Sequence, residues 1–146
     1  MDSKRNMEGI LNTKFGYFSL AVTSMTEATE LYTKMLGLEV IEPPEESVEF
    51  GFLASRLGIG GSGFLELLEP TNETSAVSRF IKARGEGVYL ISLEVDNLKD
   101  AVTQVRASGG KITGIAENEE PGPDTIGVWI HPTTTRGVFI ELRESK

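Results

Sequence analysis

The chain repeats itself at half its length, and a repeat of that size limits the fold more than any other feature. Tyr17-Phe-Ser-Leu-Ala-Val22 reads against Leu90-Ile-Ser-Leu-Glu-Val95 at an offset of 73 residues. Under that offset Ser19 meets Ser92, Leu20 meets Leu93, Ala28 meets Ala101 and Gly37 meets Gly110. After a small shift Phe64-Leu-Glu-Leu67 matches Phe139-Ile-Glu-Leu142, now at an offset of 75. Several matches in one order argue for a duplicated unit, so 146 residues hold two half-size units rather than two domains.

Each unit reads as a strand, a helix and then further strands. Short apolar and β-branched runs at 16–22 and 90–95 open the units. Ser24-Met-Thr-Glu27 is a capping box, because the Ser and Glu side chains can satisfy the first free backbone donors. Met25, Ala28, Leu31, Tyr32 and Met35 follow at helical spacing, and Gly37 supplies the stop. In the second unit Asn97 is the cap, with Leu98, Ala101, Val102 and Val105 as the stripe. Strands are expected near 37–42, 47–54 and 63–69, with counterparts near 110–115, 126–131 and 137–143. Ala76 to Arg84 reads as a linking helix. The expected fold is α+β, two pseudo-symmetric βαβββ modules forming a cupped mixed β-sheet. Residues 1–13 are expected as a flexible tail, and 14–146 as one domain made of module one (14–70), a linking helix (71–87) and module two (88–144).

Composition narrows the chemistry. With 14 Lys and Arg against 22 Asp and Glu, a net charge of −8 speaks against a nucleic-acid surface or an anionic membrane as partner. No apolar run approaches the roughly 18 residues of a spanning helix, and the polar start lacks the roughly 7–15-residue apolar core of a secretory signal. A cytoplasmic protein is the expectation. The chain has no Cys and a single His, so neither a thiolate site nor a multi-His metal site can be assembled from its side chains.

Strand alternation then singles out two carboxylates. Leu65 and Leu67 share one face and Glu66 takes the other; Ile140 and Leu142 share one face and Glu141 takes the other. Such a Glu ordinarily decorates a wet sheet face. Phe64, Leu68 and Phe139 on the same faces point instead to a ligand site, where apolar walls carry a few polar groups.

These segments resemble a known family. From about Lys14 to Glu144 the chain is similar to the vicinal oxygen chelate (glyoxalase/bleomycin resistance/dioxygenase) superfamily, in its methylmalonyl-CoA epimerase-like branch. The resemblance rests on Ser19-Leu-Ala-Val22, Leu31 to Val40, Glu66-Leu-Leu-Glu-Pro70, Ser78 to Gly87, Ser92-Leu-Glu-Val95 and His131-Pro with Gly137 to Leu142. It implies four inward ligands for a divalent metal: His, then Gln or Glu, in the first module, and His, then Glu, in the second. Here those positions hold Tyr17, Glu66, Leu90 and Glu141. Both carboxylates remain and both histidines are gone. Leu90 cannot ligate, and a tyrosine ligand is a deprotonated phenol suited to ferric iron. Glu66 and Glu141 alone suffice at most for weak binding of a hard divalent cation, so no cofactor is expected.

The resemblance further implies an acyl-CoA or small carboxylate as ligand, in a homodimer, with proton transfer by carboxylates. Glu141 is the implied base and Glu45 or Glu46 the second; without a metal, Glu66 and Glu141 could also serve as acid and base or bind a cationic ligand. Tyr17 or Tyr89 could donate to an oxyanion. Ser19, Phe64, Leu90, Ser92, Trp129, Phe139 and Arg143 complete the expected pocket, with Arg143 a candidate to neutralise Glu141. Two alternatives stay open: a non-catalytic binding protein of the bleomycin-resistance type, or a metal-free cyclase or lyase of secondary metabolism. His131 before Pro132 reads as a turn, and Gly58 to Gly63 as a connection between strands.

Overall fold

A computed structural model describes residues 12–61 and 63–145, so most of the expected tail, residues 1–11, lies outside the described residues. The chain divides into two compact units. One spans Tyr17–Tyr89; the other joins the described residues up to Gly16 with those from Leu90 onward.

The first unit contains β1 (Lys14–Ala21, entering at Tyr17), α1 (Met25–Leu36), β2 (Glu39–Ser47), β3 (Phe52–Gly58), β4 (Phe64–Pro70) and α2 (Ala76–Arg84). Its strands lie in the order β2-β3-β4-β1, with β1 parallel to β4 and the other neighbours antiparallel. The second contains β5 (Gly87–Val95, from Leu90), α3 (Leu98–Ala107), β6 (Ile112–Thr113), β7 (Gly127–Ile130) and β8 (Ile140–Glu144). Its order is β6-β7-β8-β5, again with a single parallel pair, β5 with β8. Both units are therefore βαβββ modules of one α+β plan.

The repeat extends to individual hydrogen bonds. Ser24 caps α1 by accepting from Glu27 N at 3.1 Å, and Asn97 caps α3 by accepting from Asp100 N at 2.9 Å. At the first helical residue, Met25 N donates to Glu69 Oε1 at 2.7 Å, and Leu98 N to Glu144 Oε1 at 2.8 Å. A carboxylate at the end of the last strand thus satisfies an orphan donor at the start of each helix, where the dipole also favours it.

The two main cores repeat as well. Leu20, Leu65 and Leu67 pack under Met25 and Ala28 of α1. Leu142, Val128 and Ile130 pack under Leu98, Ala101 and Val102 of α3. A smaller cluster, Ala21, Leu68 and Val77, forms on the other face of β1 and β4, against α2.

Three expectations are corrected. The strand expected at 47–54 is a turn over 48–51 followed by β3. Gly51 makes that turn: its φ is +71° and its N–H donates to Ser47 O at 2.8 Å. The strand expected at 37–42 runs on to Ser47 through Pro43-Pro44. Proline is tolerated there because β2 is an edge strand, whose outer N–H groups have no ladder partner. Finally, the apolar stripe of α1 is buried only in part: Met25 and Ala28 are buried and Tyr32 packs against the Leu65–Leu67 cluster, while Leu31 and Met35 are 47% and 68% exposed.

Candidate functional site

In the first unit the site starts from the parallel pairing of β1 with β4, which sets Ser19 opposite Glu66. The Ser19 hydroxyl donates to Glu66 Oε1 at 2.8 Å, and Ser19 is wholly buried beneath it. On the other side β3 sets Arg56 opposite Glu66. Its Nε lies 3.6 Å from Glu66 Oε2 and 3.0 Å from Glu42 Oε2. The guanidinium also covers the Phe64 ring, 4.5 Å from its centroid, and the Tyr17 ring at 5.6 Å. Tyr17 and Phe64 are stacked, with centroids 4.6 Å apart and planes 21° apart. Rings and carboxylates together hold Arg56 in one place.

Glu45 belongs to β2 itself rather than preceding a strand. Its register partner is Ala54, which shares the Arg56 face of β3, whereas Glu46 pairs with Leu53 on the other face. Glu42, Glu45, Glu46, Arg56 and Glu66 line one cleft of about 370 Å³. Arg56 is its only cation among the described residues.

The second unit builds the equivalent pair. Parallel β5 and β8 set Ser92 opposite Glu141, and the Ser92 hydroxyl donates to Glu141 Oε1 at 2.8 Å. Both residues are buried. Where the first unit has Arg56 across the strand, this one has Trp129, opposite Glu141 on β7. Arg143 is half-buried on β8, opposite Gly127. A Cβ at Gly127 would come within 3.1 Å of Leu142 O and 3.3 Å of Arg143 Cγ, so glycine leaves room for the neighbouring strand and for Arg143. Leu90 is buried, and Phe139, half-buried, lies just before β8.

The structure thus brings Tyr17, Ser19, Phe64, Glu66 and Glu45 into one unit, and Ser92, Trp129 and Glu141 into the other. Ser19 and Ser92 orient carboxylates from below rather than line an open surface. Tyr89 stands edge-on to Phe80 of α2, centroids 5.2 Å apart and planes at 90°. Burial there pushes its phenol pKa above the ordinary value, with nearby Arg79 acting weakly against that shift. His131 caps a single 3₁₀ turn, Pro132–Thr134, its Nδ1 2.7 Å from Thr133 Oγ1. Arg56 was missed by the sequence reading, since nothing local ties it to a Glu ten residues on.

Leu90 has no donor atom, the Tyr17 ring lies under a guanidinium, and that guanidinium stands 3.6 Å from Glu66. A fixed positive charge at that distance competes with a metal ion for the same oxygen. Among the described residues no group of three or more His, Cys, Asp or Glu is arranged to hold a metal. No helix among them is long and apolar enough to cross a membrane.

Comparison with known proteins agrees with this architecture. Residues 14–142 match the model of the Glyoxalase/Bleomycin resistance protein/Dioxygenase superfamily. Mitochondrial methylmalonyl-CoA epimerase of Dictyostelium discoideum is 30% identical over 138 residues, covering 90% of this chain and 78% of that protein. The crystal structure of methylmalonyl-CoA epimerase from Mycobacterium tuberculosis superposes with a TM-score of 0.76 at 25% identity, covering 94% of this chain and 90% of that one. A methylmalonyl-CoA epimerase in complex with methylmalonyl-CoA and NH4+ gives a TM-score of 0.76 at 28% identity, with 91% and 94% covered. On its duplicated βαβββ plan, its paired carboxylates and these matches, the chain belongs to the glyoxalase/bleomycin resistance protein/dioxygenase superfamily, in the methylmalonyl-CoA epimerase-like branch.

Proposed function

We propose that the protein epimerises a 2-carboxyacyl-CoA by carboxylate-based proton transfer, without the divalent metal that the resemblance implies. The observation that carries this reading is the Ser–Glu pair built twice, each hydroxyl 2.8 Å from a carboxylate oxygen. Each hydroxyl donates to one carboxylate oxygen and so fixes the plane of its carboxylate.

The chemistry requires little more than two oriented carboxylates. One takes the α-proton of the thioester: the C–H bond breaks, the electron pair enters the enolate, and the carboxylate becomes a carboxylic acid. A second carboxylic acid returns a proton to the opposite face of the same carbon, which regenerates the thioester with inverted configuration. We assign the first role to Glu141, which is 8% exposed. General acid–base catalysis by positioned groups of this kind typically contributes about 10²–10⁴-fold. Glu66 and Tyr17 belong to the binding wall under this reading.

Incubation with methylmalonyl-CoA in heavy water, in the presence of a chelator, tests the proposal. The expected result is exchange of the α-proton for deuterium, lost in Glu141→Gln. Exchange only on addition of cobalt overturns the metal-free chemistry. Absence of exchange under both conditions overturns the epimerase reading; stabilisation by the ligand without turnover then indicates a binding protein.

A further inference from the structure

We infer that Arg56 is the carboxylate receptor of this site: its guanidinium takes the free carboxylate of the acyl-CoA substrate. The inference rests on the proposed function and names the group that selects the substrate class, an acyl thioester carrying a second, ionised carboxyl group. Three observations lead to it. Arg56 is the one cation lining the cleft among the described residues, whereas four carboxylates line it: Glu42, Glu45, Glu46 and Glu66. Such a cleft repels an anion unless a cation receives it. The guanidinium is also preorganised, stacked over Phe64 at 4.5 Å and Tyr17 at 5.6 Å, so little of its freedom remains to be lost on binding.

Its two ion pairs are unequal in permanence. Glu66 is shielded, 13% exposed, and is held by Ser19; Glu42 is 57% exposed on the edge strand. Both meet the guanidinium at Nε. An exposed pair of the Glu42 kind is weak and exchanges readily. A substrate carboxylate can therefore displace Glu42 and engage the guanidinium fork in its place, while Glu66 keeps the fork oriented. Arg56 thus supplies positive charge beside the Glu66 position, where the resemblance implies a metal.

The test is calorimetric binding, in chelator, of methylmalonyl-CoA and of propionyl-CoA, which lacks the second carboxyl. The wild type is expected to prefer methylmalonyl-CoA. Arg56→Met is expected to weaken that ligand about 10- to 100-fold while leaving propionyl-CoA unchanged, as for loss of a charge-assisted bidentate contact. Glu42→Gln is expected to tighten methylmalonyl-CoA several-fold by removing the competing carboxylate. That variant leaves the core untouched, so it decides the matter even if Arg56→Met fails to fold. A wild type that exchanges the α-proton yet binds both thioesters alike, or a Glu42→Gln variant that binds no tighter, overturns the role of Arg56 and leaves the epimerase reading standing. Failure to bind either thioester overturns both.

Discussion

Glu66 and Glu141 occupy the same place in two copies of one module, yet their cross-strand neighbours differ in kind. Glu66 faces Arg56 across β3 and β4; Glu141 faces Trp129 across β7 and β8. Everything beneath them is the same: a buried serine, a hydroxyl at 2.8 Å, a parallel strand pair. The scaffold that orients each carboxylate has thus stayed symmetric, while the neighbour that sets its electrical surroundings has not. A guanidinium favours the charged form of a carboxylate and ties it down. An indole offers an apolar face and one N–H donor, and brings no charge. Under the proposed function that contrast divides the labour. In the first unit a cation accompanies the oriented carboxylate; in the second an indole does, and the carboxylate there is the one assigned to proton transfer.

The largest effect expected from breaking this contrast is on turnover. Glu141→Gln is expected to lower the rate of α-proton exchange by about 10²–10⁴-fold, the usual weight of a general base. Glu66→Gln is expected to lower it by about 10-fold, as for one lost contact of about 1.4 kcal/mol. Deuterium incorporation followed by NMR measures both, and equal losses would dissolve the division.

The serines come next, and they probe stability. Ser92→Ala removes a hydrogen bond to a buried carboxylate and is expected to cost about 1–3 kcal/mol in urea unfolding. Ser19→Ala is expected to cost less than Ser92→Ala, because Arg56 still accompanies Glu66. The reverse order would mean that Arg56 does not support Glu66 in the folded protein.

The smallest effect is the one expected to be symmetric. Ser24→Ala and Asn97→Ala each remove the side chain that caps the helix of one module. Each is expected to cost about 1 kcal/mol, and the two values should agree within about 0.5 kcal/mol, as for distant independent sites. A marked difference in thermal unfolding would show that the modules diverge in their scaffold too.

Much of this architecture could be read from local pattern. Helix caps, stop glycines and strand alternation act within a few residues, so Ser24, Asn97, Gly37 and the faces of Glu66 and Glu141 stand where the residues place them. The offset of 73 carried the first strands and helices onto each other, and the shifted offset of 75 sets Glu69 against Glu144, the carboxylates that close each helix start. Where local pattern was ambiguous, the reading failed. Pro43-Pro44 looks like a strand end, and only the edge position of β2 makes it strand. Val48-Glu-Phe50 looks like strand, and only Gly51 with its positive φ makes it a turn.

By itself, then, the amino-acid sequence determined the duplication, the α+β module and the two carboxylates, because each follows from spacings inside one element or from the match of one half to the other. Tertiary structure alone decided what stands beside those carboxylates. Which residue of β3 faces Glu66 depends on the register between two strands. That register runs unbroken from the turn that joins the two strands, Gly58 opposite Phe64, to Phe52 opposite Pro70. Electrostatic partners ten residues apart meet only once that register is set. The cation beside Glu66 therefore appears in the fold and not in the pattern.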